Sequence, residues 1–425
     1  MNLVQMIKTI SDFLTGLGAP VLLPIIVFLM GLVFGQKPRK AIVCGLTLGA
    51  GFIGLNLVIG LLINQLAPAV NAMVETVGVK RDILDVGWGV AAGIAFGTTA
   101  GALIVPVSLS VNVLMLVFRL TRTLNVDIWN FWNHAFTASV VFLASGNLAL
   151  GLVAGAIHAA LCLIIADLGA KRVQEFYELP GISIPHGWAV TSVPIIAAVN
   201  WVLDRIPYVK DITWDEGTIR DRWGIIGNPL VLGTTLGVIV GLFAGYWRDL
   251  SKLLNLGVSV GAVMILIPKV IGLFMEALTG VSESAKDFMK RRFGGREFYI
   301  GLDSAILIGH PVTVAAAVIL VPIVLALSFV LPGNRVLAFG DLAALAYFVS
   351  MVPAFSKGNL FRSVVSGIVI MSVVLWVCSS FGSSLTQMAL SIGYKMPEGA
   401  VDITAMSAGN WITWVLFQVG RLIGG

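Results

Sequence analysis

Residues 175–186 read EFYELPGISIPH, and residues 297–311 read EFYIGLDSAILIGHP. The two stretches share Glu-Phe-Tyr followed by a segment that glycine and proline interrupt, and each leads from a basic patch into a long apolar run. Interrupted segments that carry His or Asp within a hydrophobic chain are typical of solute sites in transporters. The sequence therefore predicts two structural repeats, near residues 175–194 and 297–322, that hold one site.

The composition is that of an integral membrane protein. Hydrophobic residues make up 58% of the 425 residues, charged residues only 12%, and the mean hydropathy is +0.96. Because about 20 apolar residues cross the hydrocarbon of a bilayer, the long uncharged stretches predict about ten to twelve transmembrane helices. The stretch 128–166 is long enough to cross twice, with a turn at Ser145-Gly146-Asn147. The predicted fold is all-α and polytopic, with re-entrant hairpins at the interrupted segments.

The chain is expected to form a single membrane-embedded domain, residues 1–425. Its longest charged segments, 204–222 and 283–299, are too short to bury a core of their own, so any partner enzyme is a separate chain. Basic residues predict that the segments 37–40, 119–122, 171–172 and 286–296 are cytoplasmic, and the balanced segment 75–85 is predicted to be outside. The net charge of +5 then reflects topology and contact with anionic lipid. The basic residues are scattered without interleaved aromatic residues, which argues against nucleic-acid binding.

The sequence predicts neither a bound cofactor nor a metal site. Cys44, Cys162 and Cys378 all lie in apolar runs without metal-ligand spacing, and we interpret them as packing residues. The sequence also contains no nucleotide-binding motif, which argues against a built-in ATPase.

His186 and Asp303 are the strongest candidates for solute binding. His186 follows Pro185 in a segment whose freed backbone groups must line protein or a cavity rather than lipid. Asp303 precedes an uncharged run, 304–334, where a carboxylate is costly unless it faces water or a hydroxylated solute. His310, between Gly309 and a proline, either binds solute or caps a helix.

Further candidates lie around these two. Glu178 is a candidate for the role of Asp303 in the first copy of the motif. Asn130 and His134 lie in the amide- and indole-rich stretch NFWNH, which is either an interfacial aromatic belt or a platform for a sugar. Asp85 and Trp88 precede a glycine-broken run; they either bind a polyol through carboxylate and ring or anchor a loop at the membrane surface.

Six separated motifs, in order along essentially the whole chain, resemble one known family. This family is the galactitol-specific enzyme IIC of the bacterial phosphoenolpyruvate-dependent sugar phosphotransferase system, in the ascorbate/galactitol superfamily. The motifs are VDIWN (126–130), GISIPHG (181–187), REFYIGLD (296–303), PGNR (332–335), FGDLA (339–343) and KGNLFR (357–362).

The resemblance implies a homodimeric permease of the bacterial inner membrane. Such permeases have a solute-holding core with re-entrant hairpins, a separate dimerising domain and an elevator-type motion. A IIA histidine passes phosphate to a IIB cysteine, and IIB phosphorylates the sugar held by IIC. IIC itself is expected to carry neither a phosphorylated residue nor a catalytic residue. We expect Asp303 or His186 to orient the attacked hydroxyl of galactitol or a related polyol. The chain departs from the family pattern at its C-terminal end, because the resemblance leads us to expect a further hydrophobic segment and a basic tail after Gln418.

Two other mechanisms fit the same broken segments. In an ion-coupled secondary transporter of a small polar solute, Asp303 would be a proton or sodium site. A passive channel is the second alternative.

Overall fold

The computed structural model of the protein describes residues 9, 19–77, 82–127, 129–214, 228–293, 297–338, 340–397 and 400–424. Over these ranges the chain is mostly helical, which confirms the predicted class. The helices, in chain order, are α1 (Ala19–Val33), α2 (Pro38–Val77), α3 (Trp88–Gly97), α4 (Thr99–Val117), α5 (Trp132–Ser145), α6 (Leu148–Phe176), α7 (Gly187–Leu203), α8 (Pro229–Phe243), α9 (Leu250–Phe293), α10 (Pro311–Val330), α11 (Leu345–Phe348), α12 (Val352–Phe355), α13 (Leu360–Ser379), α14 (Gly382–Ser391) and α15 (Trp411–Gly424).

Four of the described helices, α4, α6, α10 and α13, are long and apolar enough to cross a membrane by length and composition. Several of the remaining described helices are apolar but shorter, among them α3, α7 and α15. The multi-pass character is thus confirmed, whereas ten to twelve crossings remain a prediction.

The helical hairpin predicted within 128–166 is present. The chain turns at Gly146, whose φ of 65° is readily adopted only by glycine, between helices α5 and α6. The side chain of Asn147 then caps α6 by accepting a hydrogen bond from the backbone N–H of Leu150, at 3.1 Å. The sequence signal for this turn was therefore correct to the residue.

The structure also contains six short strands that the all-α prediction did not include. They are β1 (Ile83–Asp85), β2 (Thr123–Asn125), β3 (Ile182–Ser183), β4 (Tyr299–Gly301), β5 (Val336–Leu337) and β6 (Asp402–Thr404). They form two parallel three-stranded sheets, with the orders β5-β1-β6 and β2-β4-β3. Strands of two or three residues are too short to show a period of two in the sequence.

The two Glu-Phe-Tyr stretches meet in the second sheet. Strand β3, within the first copy, pairs with β4, within the second copy, so that Ile182 lies opposite Ile300 and Ser183 opposite Gly301. The prediction that the interruptions near 181 and 301 lie together inside the protein is therefore correct. The copies are adjacent strands of one sheet.

Ion pairs close the amino-terminal end of each sheet. Arg122, just before β2, contacts Glu297, just before β4, at 3.2 Å, and Arg335, just before β5, contacts Asp82, just before β1. The first pair places the segments around residues 122 and 297 on the same face, as the positive charges of both segments predict.

Helices α1, α2, α8 and α9 pack against one another and form one group. Many of their apolar side chains are exposed, for example Leu46, Leu57 and Phe243. The basic residues of the segment 286–296 suggest a cytoplasmic loop, but helix α9 continues into this segment as far as Phe293. Arg296 lies outside the described residues, as do residues 78–81 of the segment predicted to face outward.

The three cysteines are buried and form no disulfide bond among the described residues, as expected of packing residues.

Candidate functional site

The carboxyl ends of strands β2, β3 and β4 bring three ionisable side chains together. Asp127 follows the last residue of β2 by two positions, Asp303 follows the last residue of β4 by two, and His186 follows the last residue of β3 by three. Because the strands are parallel and in register, the segments that follow them leave the sheet at the same edge. We refer to Asp127, Asn130, His186 and Asp303 as the strand-end cluster.

An amide joins the two carboxylates of the strand-end cluster. Nδ2 of Asn130 donates to Oδ2 of Asp127 at 2.6 Å and to Oδ2 of Asp303 at 3.0 Å. The other oxygen of Asp303, Oδ1, accepts from the backbone N–H of Ala305 at 2.8 Å. This places the two carboxylates side by side with a shared donor between them.

His186 completes the cluster and caps the start of helix α7. Its Nδ1 accepts from the backbone N–H of Ala189 at 3.5 Å, and its Nε2 lies 3.8 Å from Oδ1 of Asp303. A nitrogen that accepts a hydrogen bond carries no proton, so the neutral ring has its proton on Nε2, facing the carboxylate. The ring orientation is thus fixed from both sides.

Aromatic rings form a wall beside His186. The indole of Trp188 stacks on Phe348 with centroids 5.0 Å apart and planes 8° from parallel. It also makes T-shaped contacts with the rings of His186, Tyr347 and Trp132, at centroid distances of 5.4, 5.9 and 5.8 Å. Aromatic faces next to hydrogen-bonding groups suit a ligand with both C–H and O–H surfaces. A cavity extends from this wall and is lined by residues that include Trp188, Phe348, Ser407, Asn410 and Trp411.

Several buried polar atoms around the cluster have no hydrogen-bond partner among the described residues. They are Oδ1 of Asp127, Nε2 of His134, Nε1 of Trp188 and Oγ of Ser304, and the cavity adds Oγ of Ser407. An unsatisfied buried donor or acceptor costs about 1–3 kcal/mol, and more if charged. A group of buried donors and acceptors that lack hydrogen-bond partners indicates a site for a polar ligand.

The site is rich in hydrogen-bonding groups but lacks buried cations. No Lys or Arg occurs among the buried residues in the described ranges, whereas buried Asp, Asn, His, Ser and Thr are numerous. The arrangement therefore favours a neutral ligand over an anionic one, because an anion would require a nearby positive charge.

His134 lies on helix α5, close to the aromatic wall. Its Nδ1 is 3.0 Å from Oγ of Ser108, and its ring stacks against Phe131 at 5.3 Å. It also packs edge-to-face on His158, whose Nδ1 is hydrogen-bonded to Oγ1 of Thr137 at 2.7 Å across the α5–α6 pair. His134 is thus buried, which does not match an interfacial belt.

Asp85 and Trp88 lie at the other sheet. Asp85 is fully buried and accepts backbone N–H bonds from Gly87, Met406 and Asp341 at 2.9–3.2 Å. Asp341 in turn accepts from the backbone N–H of Trp88 at 2.7 Å and of Ser407 at 2.8 Å. These two carboxylates tie together the segments that follow β1, β5 and β6.

His310 and Glu178 have structural surroundings. Nδ1 of His310 accepts from the backbone N–H of Val312 at 3.2 Å and so caps helix α10, and its ring packs on Phe176 at 4.7 Å and Tyr177 at 5.8 Å. Glu178 is exposed, just after α6, with a φ of 55°. Neither residue is joined to the strand-end cluster by the contacts described.

Sequence reasoning did not single out Asp127, Tyr347 or Phe348. Asp127 carries the same signal as Asp303, an acidic residue two positions past a short strand, but no glycine or proline marks that strand. Tyr347 and Phe348 reach the site from α11, whose four residues are too few to show helical periodicity.

The fold and the site define a multi-pass membrane permease for a polar solute, and comparison with known proteins identifies the family. Residues 12–399 match the family described as the sugar-specific permease component of the PTS system, EIIC-GAT. The chain belongs to this family. It is therefore a multi-pass protein of the bacterial inner membrane, and permease components of this system act with separate IIA and IIB subunits.

Two relatives from Escherichia coli (strain K12) match nearly the whole chain. One, named as a permease IIC component, is 40% identical over 411 residues, which cover 97% of this chain and 94% of the relative. The other is the galactitol-specific EIIC component of the PTS system, which is 37% identical over 414 residues covering 97% and 91%.

Proposed function

We propose that this protein carries galactitol or a closely related polyol across the inner membrane and holds it while a IIB subunit phosphorylates it. The observation that carries the proposal is the set of buried polar atoms around the strand-end cluster that find no partner among the described residues, none of whose buried side chains is Lys or Arg. The galactitol-specific relative supports the choice of substrate class.

The chemistry of a polyol matches the groups at the site. Each hydroxyl both donates and accepts, so it satisfies a carboxylate oxygen such as Oδ1 of Asp127 and a donor such as Nε1 of Trp188. The C–H faces of the carbon chain pack on the indole of Trp188. Ascorbate is an anion at neutral pH and would place a negative charge beside two carboxylates, which is unfavourable.

The strand order supports two repeats with exchanged central strands. Strands β1, β2 and β3 begin at residues 83, 123 and 182, and β4, β5 and β6 begin at 299, 336 and 402, with similar spacing. The first strand of each series is central in the sheet whose outer strands come from the other series. We therefore assign residues 82–203 and 297–424 to the repeats, so the two Glu-Phe-Tyr stretches occupy different positions within them.

A scaffold and a moving core account for translocation. The group α1, α2, α8 and α9 is the dimerising scaffold in this proposal, because its helices pack on each other and present exposed apolar side chains to lipid or to a second copy. The two sheets and the remaining helices form the core that carries the solute in an elevator-type motion. The short strands and the helices that follow them then act as re-entrant hairpins.

Phosphorylation gives the transport its direction. It adds a charge of about −1.5 to −2 to the polyol, which a site with two carboxylates and no buried cation binds poorly. The product is therefore released to the cytoplasm. The basic segment 286–296 is the proposed dock for IIB.

A binding screen of the purified protein tests the substrate. Calorimetry measures the affinity for galactitol, for ascorbate and for other hexitols and pentitols. Galactitol is expected to bind, and ascorbate is expected to bind much more weakly. Strong binding of ascorbate and none of galactitol would contradict the proposal.

Uptake into vesicles tests the mechanism. Uptake that persists after ionophores collapse the ion gradients, and that requires phosphoenolpyruvate with the IIA and IIB subunits, is expected. Uptake driven by an ion gradient alone would favour the secondary transporter, and a unitary conductance would favour a channel.

A further inference from the structure

We propose that Asp127 is the proton acceptor for the polyol hydroxyl that is phosphorylated. This inference rests on the proposed function and assigns a chemical role within the same site. It differs from the expectation drawn from the sequence, which gave the attacked hydroxyl to Asp303 or His186.

His186 is engaged at both nitrogens. Nδ1 accepts the backbone N–H of Ala189, and the proton of Nε2 faces Asp303. A base needs a free lone pair directed at the proton it takes. In this arrangement His186 has none, because Nδ1 accepts a hydrogen bond and Nε2 carries the proton of the neutral ring.

Asp303 is occupied by donors of the protein at both oxygens. Oδ1 accepts from Ala305 at 2.8 Å and faces the ring of His186, while Oδ2 accepts from Asn130 at 3.0 Å. Two hydrogen bonds therefore hold this carboxylate in place, and Nε2 of His186 lies 3.8 Å from it. Its role is to fix Asn130 and His186 relative to each other.

Asp127 differs from Asp303 in one oxygen. Oδ2 accepts from Asn130 at 2.6 Å, whereas Oδ1 is buried and has no hydrogen-bond partner in the described parts of the chain. Asp127 is only 1% exposed, so Oδ1 is shielded from bulk water. A buried carboxylate oxygen in this position is costly unless a donor reaches it, and a substrate hydroxyl is such a donor.

Both N–H groups of Asn130 are used, one on each carboxylate. Asn130 therefore fixes Oδ2 of Asp127 by a hydrogen bond and leaves Oδ1 available to another donor. The pair of hydrogen bonds fixes the direction of the free oxygen, which reduces the reorganisation required for proton transfer.

The chemical step balances with a cysteinyl phosphate of IIB as the phosphoryl donor. The hydroxyl oxygen of the polyol forms a bond to phosphorus while the phosphorus–sulfur bond breaks. The cysteine leaves as a thiolate, and the hydroxyl proton moves to Oδ1 of Asp127. The neutral carboxylic acid that results returns the proton to water after the phosphorylated product has left.

Asp127→Asn in the full-length protein tests this role. The amide keeps an acceptor for Asn130 and places an N–H₂ group where Oδ1 was, so it still hydrogen-bonds to a hydroxyl but cannot take its proton. Two quantities are measured in proteoliposomes: equilibrium exchange of radiolabelled galactitol without donor, and galactitol phosphorylation by phosphorylated IIB. Exchange is expected to stay within a few-fold of the unmodified protein, and phosphorylation is expected to fall on the order of 10²–10⁴-fold.

Two further variants complete the design. Asp127→Glu restores a carboxylate and is expected to phosphorylate at least about tenfold faster than Asp127→Asn, in line with a general-base role. Asp249→Asn is the matched control, because Asp249 is exposed at the start of α9 and pairs with Lys252 at 3.5 Å. This control is expected to leave both measurements unchanged.

The inference is overturned if Asp127→Asn phosphorylates galactitol at the normal rate, or if exchange and phosphorylation fall by the same factor. It is also overturned if the Glu variant is no better than the Asn variant. Failure of the unmodified protein to exchange or phosphorylate galactitol would instead reject the proposed function, so the two failures are distinguishable.

Discussion

Asn130 donates a hydrogen bond of 3.0 Å to Asp303, a residue 173 positions further along the chain. The same amide group donates to Asp127, at 2.6 Å. One side chain, five residues after the end of β2, thus positions carboxylates that follow two different strands. Without it, the two carboxyl groups would lie close together with fewer donors to stabilise them.

Replacement of Asn130 by Ala is expected to weaken both the fold and the site. Each carboxylate oxygen that loses its donor costs about 1–3 kcal/mol, and galactitol affinity is expected to fall about 10–100-fold as the cluster loses its geometry. Thermal unfolding in detergent and calorimetry with galactitol measure the two effects.

Asn228→Ala is the matched control for this variant. Asn228 is exposed and caps helix α8 through the backbone N–H of Leu230 at 2.9 Å. Its loss is expected to cost about 1 kcal/mol of stability, as for other caps, with galactitol binding unchanged. Equal binding by Asn130→Ala and the control would show that the amide bridge plays no part in the site.

Two histidines that cap helices in the same way provide a second test. His186 and His310 each accept a backbone N–H at Nδ1, but only His186 faces a carboxylate, Asp303. His186→Ala and Asp303→Asn are expected to abolish galactitol binding. His310→Ala is expected to cost about 1 kcal/mol of stability as a lost cap and to leave binding intact. If His310→Ala alone lost galactitol binding, the solute site would have to lie beside His310, on the side of α10 that contacts Phe176.

Part of this arrangement could be predicted from the sequence because breaks in an apolar chain are conspicuous. Gly181 and Pro185 mark the segment that carries His186, and Gly301 marks the segment of Asp303. Such breaks must be buried in protein if they occur within the membrane, and this requirement brought the two segments together correctly.

Other features left no comparable signal. Strand β2 contains only Thr123, Leu124 and Asn125, so neither its pairing nor the position of Asp127 could be inferred from periodicity. The sheet β5-β1-β6 joins segments near residues 83, 336 and 402, which no local pattern relates. Helix α9 continues through a charged segment because Lys, Arg and Glu are good helix formers, although their charge suggested a loop.

The carboxylate of Asp341 supports a prediction about stability rather than binding. Its two oxygens accept backbone N–H bonds from Trp88 and Ser407 at 2.7 and 2.8 Å. In Asp341→Asn one oxygen is replaced by an N–H₂ group that faces a backbone N–H. Unfolding is expected to become easier by about 1–3 kcal/mol, with near-normal galactitol affinity in the protein that remains folded. An unchanged melting temperature would contradict the structural role of this residue.

A close contact at Gly187 links the aromatic wall to the strand-end cluster. A Cβ at Gly187 would lie 2.6 Å from Cβ of Asn133, whereas a Cβ at Gly89 would meet no atom within 4 Å. Gly187→Ala must therefore push α7 away from α5 and displace His186 and Trp188, the residues on either side. Galactitol affinity is expected to fall at least about tenfold and stability by about 1–3 kcal/mol, the usual cost of overpacking.

Gly89→Ala, in an exposed turn of α3, is expected to leave binding unchanged and to stabilise the helix by about 0.5–1 kcal/mol, since alanine is the better helix former. Calorimetry and thermal unfolding on both variants separate the two outcomes. If Gly187→Ala binds galactitol as well as Gly89→Ala does, the position of α7 against α5 does not set the geometry of the site.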